Sequence, residues 1–290
     1  MKTFLFFALF FICTYTFAQD MPARWDELTA TDFPKALEKS SQTCILPFGI
    51  LEKHGPHSPI GTDLIHVREW AARATKQEYA VVFPDYFYGQ INEARQQYGT
   101  FALPGRLIYD LLEATCDEIA RNGFKKIVIL NGHGGNPEFI RFFMQSFLNK
   151  RHNYAIYFYT GERNDEAYAK EYQKMHKSEI KGDQHAGESE TSTLLYYRPD
   201  LMRMDRATQQ SGADQKRLTN IPGLYTPIWW YASFPNHYAG EGDKATSELG
   251  KFITDHEIAS FIKALKEVKA DTETIKLQNE FYDRVDNLNK

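Results

Sequence analysis

The chain has 290 residues, with 34 basic and 38 acidic side chains, a formal charge of −4 and a hydrophobic fraction of 42%. That length allows one large domain or two small ones, and the ordinary globular composition predicts a sizeable core. No basic block or aromatic-interleaved basic patch is present, which argues against a nucleic-acid partner.

The N-terminus, "MKTFLFFALFFICTYTFAQD", has Lys2, an apolar run and the small residue Ala18. This is the layout of a secretory signal peptide over 1–18, cleaved after Ala18. The run from Phe4 to Phe17 is shorter than the roughly 20 residues that span a bilayer. No membrane anchor is therefore expected after cleavage, and the mature protein is expected to be periplasmic or secreted. "FFIC" lacks the small residue that precedes a lipoprotein cysteine, so Cys13 is not expected to carry lipid. Loss of Lys2 leaves 33 basic against 38 acidic residues, a charge of −5. Cys44 lies in an apolar strand-like run and Cys116 on an apolar helix face, so both are expected as buried thiols rather than a disulfide.

In chain order, "ELTATDFPKALEKS" predicts a helix capped by Thr31 or Asp32. "TCILPFG" (43–49) predicts a short buried strand, "LIHVREWAARATKQE" (64–78) a helix and "AVVFPDYFYG" (80–89) a second strand. "RLIYDLLEATCDEIARNGF" (106–124) is a strongly amphipathic helix stopped at Asn122-Gly123. "KKIVILNGHGGN" is an apolar strand running into a glycine-rich loop. "PEFIRFFMQSFLNK" is a helix with Pro137 in its first turn, and "YAIYFYTG" (154–161) is a further strand. The alternation of strand and helix predicts an α/β fold, a mainly parallel sheet with helices on both faces. After residue 200, "GLYTPIWWYASFPNHYAGEGDKATSELG" reads as a long aromatic connection walling or covering a site. "GKFITDHEIASFIKALKEVKA" reads as a closing helix, and the polar last stretch, "DTETIKLQNEFYDRVDNLNK", as frayed or peripheral.

Three polar clusters fall where the chain leaves strand carboxyl ends, the place where such sheets gather ligands. They are "EKHGPHSPIGTD", "NGHGGN" and, after the fourth strand, "DQHAGESETS". Glu52 and His54 are two apart, so in an extended segment both can face one pocket. Asp63 can return to it through the Pro/Gly turn. A carboxylate–imidazole set suits zinc, manganese or iron better than calcium. His133, between Gly132 and Gly134, reads alone either as a ligand or as an incidental turn residue. His185 and Glu190 read alone as a capped helix start with solvated acids. Together, the clusters are suited to a binuclear hydrolytic site, with a nearby histidine supplying a proton to a leaving nitrogen. No G-x-S-x-G elbow, P-loop or G-x-G-x-x-G fingerprint competes with that reading.

With "LPFGILEKHGPHSPIGTD", "NGHGGN", "HAGESETS" and the late "GEGDKATSELG" in this order, the chain resembles the creatininase (creatinine amidohydrolase) family over roughly residues 25–268. The resemblance implies a three-layer α/β/α sandwich as one domain over 19–290, and hydrolysis of a C–N bond in a small, often cyclic, amide. It implies two divalent metal ions per chain, expected as Zn2+ with Zn2+, Mn2+ or Fe2+, and a homo-oligomer, commonly a hexamer. By motif, Glu52, His54, Asp63 and His133 fall on metal-ligand positions, with Asp63 as the bridge. His185 falls on the position that handles protons at the leaving group.

The departures are specific. Creatinine-hydrolysing members carry Tyr and a metal-binding Glu just after the His of "NGHGGN", where this chain has Gly134 and Gly135. Creatinine is therefore not the expected substrate, and Glu190 is taken as the fifth ligand. Lys53 and Ser58 stand where Gln and Leu are commoner. His57 is expected to support the site or the fold rather than bind metal. Gly134, Trp229 and Trp230 are candidates to touch substrate, although the tryptophans equally suit core or subunit packing. His66, His152, His176, His237 and His256 are expected on surfaces or helix faces, with His237 alone placed to reach a site. The competing functions are a non-catalytic metal- or ligand-binding protein on the same fold and a hydrolase of an ester or C–C bond.

Overall fold

The computed structural model describes residues 21–161, 165–180 and 183–288. The 1–18 leader lies outside the described residues. Four strands form one parallel sheet: β1 (Thr43–Phe48), β2 (Val81–Val82), β3 (Lys126–Asn131) and β4 (Ala155–Tyr159), in the order β2-β1-β3-β4. The helices are α1 (Phe33–Lys39), α2 (Thr62–Ala74), α3 (Gly105–Arg121), α4 (Asn136–Ser146), α5 (Glu166–Met175), α6 (Glu188–Tyr197), α7 (Trp229–Ser233), α8 (Ser247–Ala270) and α9 (Glu273–Asp286).

Alternate residues of each strand face opposite sides of the sheet, and both sides are covered. Cys44, Leu46, Phe48, Ile127 and Ile129 pack with Ala36 of α1, Leu112, Cys116 and Ile119 of α3, and Ile140 and Phe143 of α4. Ile45, Val128 and Leu130 pack on the other side with Val67 and Ala71 of α2 and Ile258, Phe261 and Leu265 of α8. This is the expected α/β/α sandwich, and it explains why the central strands are apolar without alternation. Cys44 and Cys116 are free thiols buried in the first of these cores.

Three local expectations change. The strand expected over 80–89 is only Val81–Val82, followed by one further amide bond to β1, from Phe83 to the Ile45 carbonyl at 2.9 Å. The chain then rejoins β1 at a single bridge, Phe48 with Tyr86. Asp32 does precede α1, but its carboxylate accepts from the Thr29 hydroxyl at 2.7 Å rather than from a helix N–H. The polar C-terminal stretch forms α9, which docks through buried Tyr282 and through Gln278 donating to the carbonyls of His152 and Tyr154. Among the described residues no helix is long and apolar enough to cross a membrane.

β1 and β3 are paired in register from Thr43–Lys126 to Phe48–Asn131, so their carboxyl ends open side by side. The 49–63 loop leaves one of them and "NGHGGN" leaves the other. The start of α2 fits between them because two glycines lack side chains. A Cβ on Gly132 would lie 2.6 Å from the Asp63 carbonyl oxygen, and one on Gly49 would lie 2.7 Å from the Leu64 nitrogen.

Candidate metal centre

Asp63 is the second residue of α2. Its carboxylate, in the first helical turn, points into a pocket bounded by Glu52, His54, His133, His185 and Glu190. Glu52 and His54 are fully buried, and Asp63 is 1% exposed. The turn after His54 closes by a bridge between His54 and Ser58. The Glu52 amide bonds the Ile60 carbonyl at 3.1 Å, so the loop folds back on itself and carries Asp63 home.

Hydrogen bonds fix the imidazole tautomers, because a carbonyl oxygen only accepts. His54 donates from Nδ1 to the Glu52 carbonyl at 3.2 Å. Its Nε2 lone pair is then left 3.1 Å from Asp63 Oδ1, 3.4 Å from Glu190 Oε1 and 3.8 Å from Glu52 Oε1. His133 donates from Nε2 to the Gln90 carbonyl at 2.9 Å. Its Nδ1 lies 2.7 Å from Glu52 Oε1 and 3.3 Å from Asp63 Oδ2. Those two carboxylate oxygens are buried and have no hydrogen-bond donor.

Lone pairs facing one another at such distances repel unless a proton or a cation lies between them. Protons can take that place. Burial pulls both imidazoles down, but Glu190 and Asp63 around His54, and Glu52 and Asp63 around His133, hold them well above the usual histidine range. Burial pushes the Glu52 carboxyl up, but His133, His185 and His237 outweigh it and hold it well below the carboxylate range. Divalent cations meet the same demand. Two imidazole nitrogens and three carboxylates form a donor set suited to zinc, manganese or iron. The backbone carbonyls behind both rings are the orienting partners that metal-binding histidines use. The residues present therefore fit the group.

Glu190 is the least enclosed of the five, with its side chain 22% exposed. It is aimed by the Ala186 amide, which donates to Oε2 at 2.6 Å and leaves Oε1 toward His54. His185 donates from Nε2 to the Lys53 carbonyl at 2.7 Å, and burial lowers its pKa to about 4. His57 stands outside the cluster, donating from Nε2 to Thr191 at 2.9 Å. Gly134, Trp229 and Trp230 line one cleft of about 840 Å3. The structure thus brings all five proposed ligands and His185 together and sets Gly134 and both tryptophans along one cleft.

His237, which the sequence places to reach a site without giving it a role, does reach it. It is 2% exposed, rather than on a surface, and hydrogen-bonds Glu52 Oε2 through Nε2. Its sole sequence signal is its place in the aromatic Gly-rich connection. His66 is on a helix face, that of α2, where it is buried and bonded to Thr193, while His152 is buried and stacked on Phe147 rather than on a surface.

A three-layer fold with a buried carboxylate–imidazole pocket at its strand ends defines the class of α/β metal-binding hydrolases. A family model for creatinine amidohydrolase matches residues 26–265, and the chain belongs to the creatininase family. It is 25% identical over 204 residues to creatinine amidohydrolase of Pseudomonas putida, covering 64% of this chain and 76% of that one. It is 29% identical over 183 residues to the mycofactocin precursor peptide peptidase of Mycolicibacterium smegmatis, covering 60% and 66%. Solved structures of the same fold include creatininase with Mn and a mutant creatininase of Zn–Zn type. Each has a TM-score of 0.72 and 21% identity and covers 86% of this chain and 99% of its own.

Proposed function

We propose that this protein is a metal-dependent amidohydrolase that cleaves a C–N bond of a small amide outside the cytoplasm. The observation that carries the reading is the convergence of the His54 and His133 lone pairs on Asp63, whose two oxygens face one ring each. Glu52, His133 and one Asp63 oxygen would hold one divalent ion, and His54, Glu190 and the other Asp63 oxygen a second. Bound there, such ions supply Lewis acidity that polarises an amide carbonyl and makes water nucleophilic at neutral pH.

The chain's own groups do the rest. His185 is neutral at neutral pH, and its Nε2–H is engaged by the Lys53 carbonyl. Nδ1 is therefore the atom that takes a proton and passes it to the leaving nitrogen. The cleft supplies binding. Trp229 and Trp230 offer apolar surface, while Glu93 and Glu138 in the same lining suit a polar or cationic group. The cleft, of about 840 Å3, lies in the range of sites for drug-sized ligands. A peptidase among the relatives supports cleavage of a peptide bond as a second reading.

The test is a metal-quantified preparation screened against lactams, cyclic ureas, formamides and short peptides. Turnover lost on chelation and restored by Zn2+ or Mn2+ supports the proposal, and the class of substrate turned over separates the two readings. A fully loaded protein that hydrolyses none of them is a binding protein on this fold, and the proposal falls. The homo-oligomer, a hexamer by family resemblance, is part of the same proposal and is read by sedimentation velocity.

A further inference from the structure

The pocket holds a histidine whose hydrogen bonding runs opposite to that of the two proposed ligands. His54 and His133 each have a carbonyl behind the ring, which takes the proton and leaves the lone pair facing the carboxylates. His237 has a donor behind it. The indole N–H of Trp230 points at His237 Nδ1 at 2.7 Å, and an indole nitrogen can only donate. Nδ1 must therefore carry the lone pair. The ring proton sits on Nε2, the atom that meets Glu52 Oε2.

On this basis, and resting on the metal-site reading above, we infer that His237 is a positioning residue for Glu52 and not a metal ligand, with its tautomer set by Trp230. Glu52, His185 and His237 do cluster with ligand-like spacing, but a nitrogen bearing a proton has no lone pair to offer a cation. What it offers is a hydrogen bond that holds one oxygen of Glu52 and leaves the other, Oε1, aimed at His133 at 2.7 Å. Partners of this kind orient a ligating carboxylate and raise metal affinity.

The backbone shows that the position is held in place. His237 has φ +52, a conformation that costs energy for a side-chain-bearing residue and persists where its surroundings over-determine it. Its amide bonds the Phe234 carbonyl at 2.9 Å, and Trp230 packs on Phe234 with ring centroids 4.8 Å apart. Trp230 also lines the cleft. The aromatic connection is therefore linked to Glu52 through two hydrogen bonds.

Two measurements test this. The first needs no metal: 15N shifts of the histidine ring nitrogens in chelator-treated protein. His237 is expected as the Nε2–H tautomer, and Trp230→Phe, which keeps an aromatic ring but removes the indole N–H, is expected to give a tautomer mixture. A wild-type His237 with its lone pair on Nε2 overturns the inference. The second is metal affinity by chelator competition, with Co2+ absorption as the readout of the donor set. His237→Ala is expected to weaken binding about tenfold with the Co2+ bands in place, and His237→Gln, whose amide N–H can donate to Glu52, to recover most of that loss. Loss of a whole ion in His237→Ala, or equal damage from Gln and Ala, overturns it. A wild-type protein that binds no metal removes the metal-site reading but leaves the tautomer result to be judged on its own.

Discussion

Asp63 presents Oδ1 to His54 at 3.1 Å while its Oδ2 faces a different imidazole, that of His133. One carboxylate thus lies between two imidazoles contributed by separate strand ends. The first prediction follows from that placement. Asp63→Asn keeps the shape but removes the charge that both rings face. Both ions are expected to be lost, with activity down at least about 100-fold, the size of a missing transition-state partner. Elemental analysis of the variant decides the point, since two retained ions would end the bridging assignment.

Gly132→Ala tests how Asp63 is brought there. The added Cβ would sit 2.6 Å from the Asp63 carbonyl oxygen and 2.8 Å from Val67. Neither the helix backbone nor the packed valine can yield freely. A loss of about 1–3 kcal/mol in urea unfolding is expected from such overpacking, together with weaker metal binding as α2 is pushed away. Wild-type stability and affinity would show that the strand ends tolerate a wider gap.

The central strands and three site clusters were legible because their signals are local. Ile127, Val128 and Ile129 make a β-branched run, and Glu52 and His54 lie two apart on one extended segment. The rest depends on contacts far apart in sequence. Nothing near His237 marks it as a partner of Glu52, 185 positions away, and the tautomer that defines its role is set by Trp230. α9 escaped because its composition is polar. Its helix is supported by charged pairs such as Glu273–Lys276 and Glu280–Arg284 and by one buried tyrosine, Tyr282. β2 is shorter than its apolar composition suggests, because composition does not mark where hydrogen-bond pairing ends.

His185→Gln separates proton transfer from metal binding. Its Nε2–H points to the Lys53 carbonyl rather than into the cluster, so metal content is expected to stay at the wild-type level. Turnover is expected to fall by about 10²–10⁴, the range for a removed general acid–base. The loss should be smallest for substrates with acidic leaving groups, which leave without a proton. A uniform loss across leaving groups, or full turnover, would remove His185 from that step.

His57 carries the pH prediction. It is 1% exposed, its Nδ1 has no partner, and its pKa is lowered to about 4, first by burial and then by His54, against Glu190 and Asp243. An unfolded histidine titrates near ~6.5, so between pH 6.5 and 4 the unfolded chain binds a proton that the folded one refuses. Stability from this group is complete above pH 6.5 and falls as the pH drops toward 4, by about 2–3 kcal/mol in all. His57→Gln can keep the bond to Thr191 and has nothing to titrate. In urea unfolding of chelator-treated protein, the loss between pH 7 and 4.5 should be about 2 kcal/mol smaller for the variant. Parallel pH profiles for the two proteins would show that His57 is protonated alike in the folded and unfolded chains.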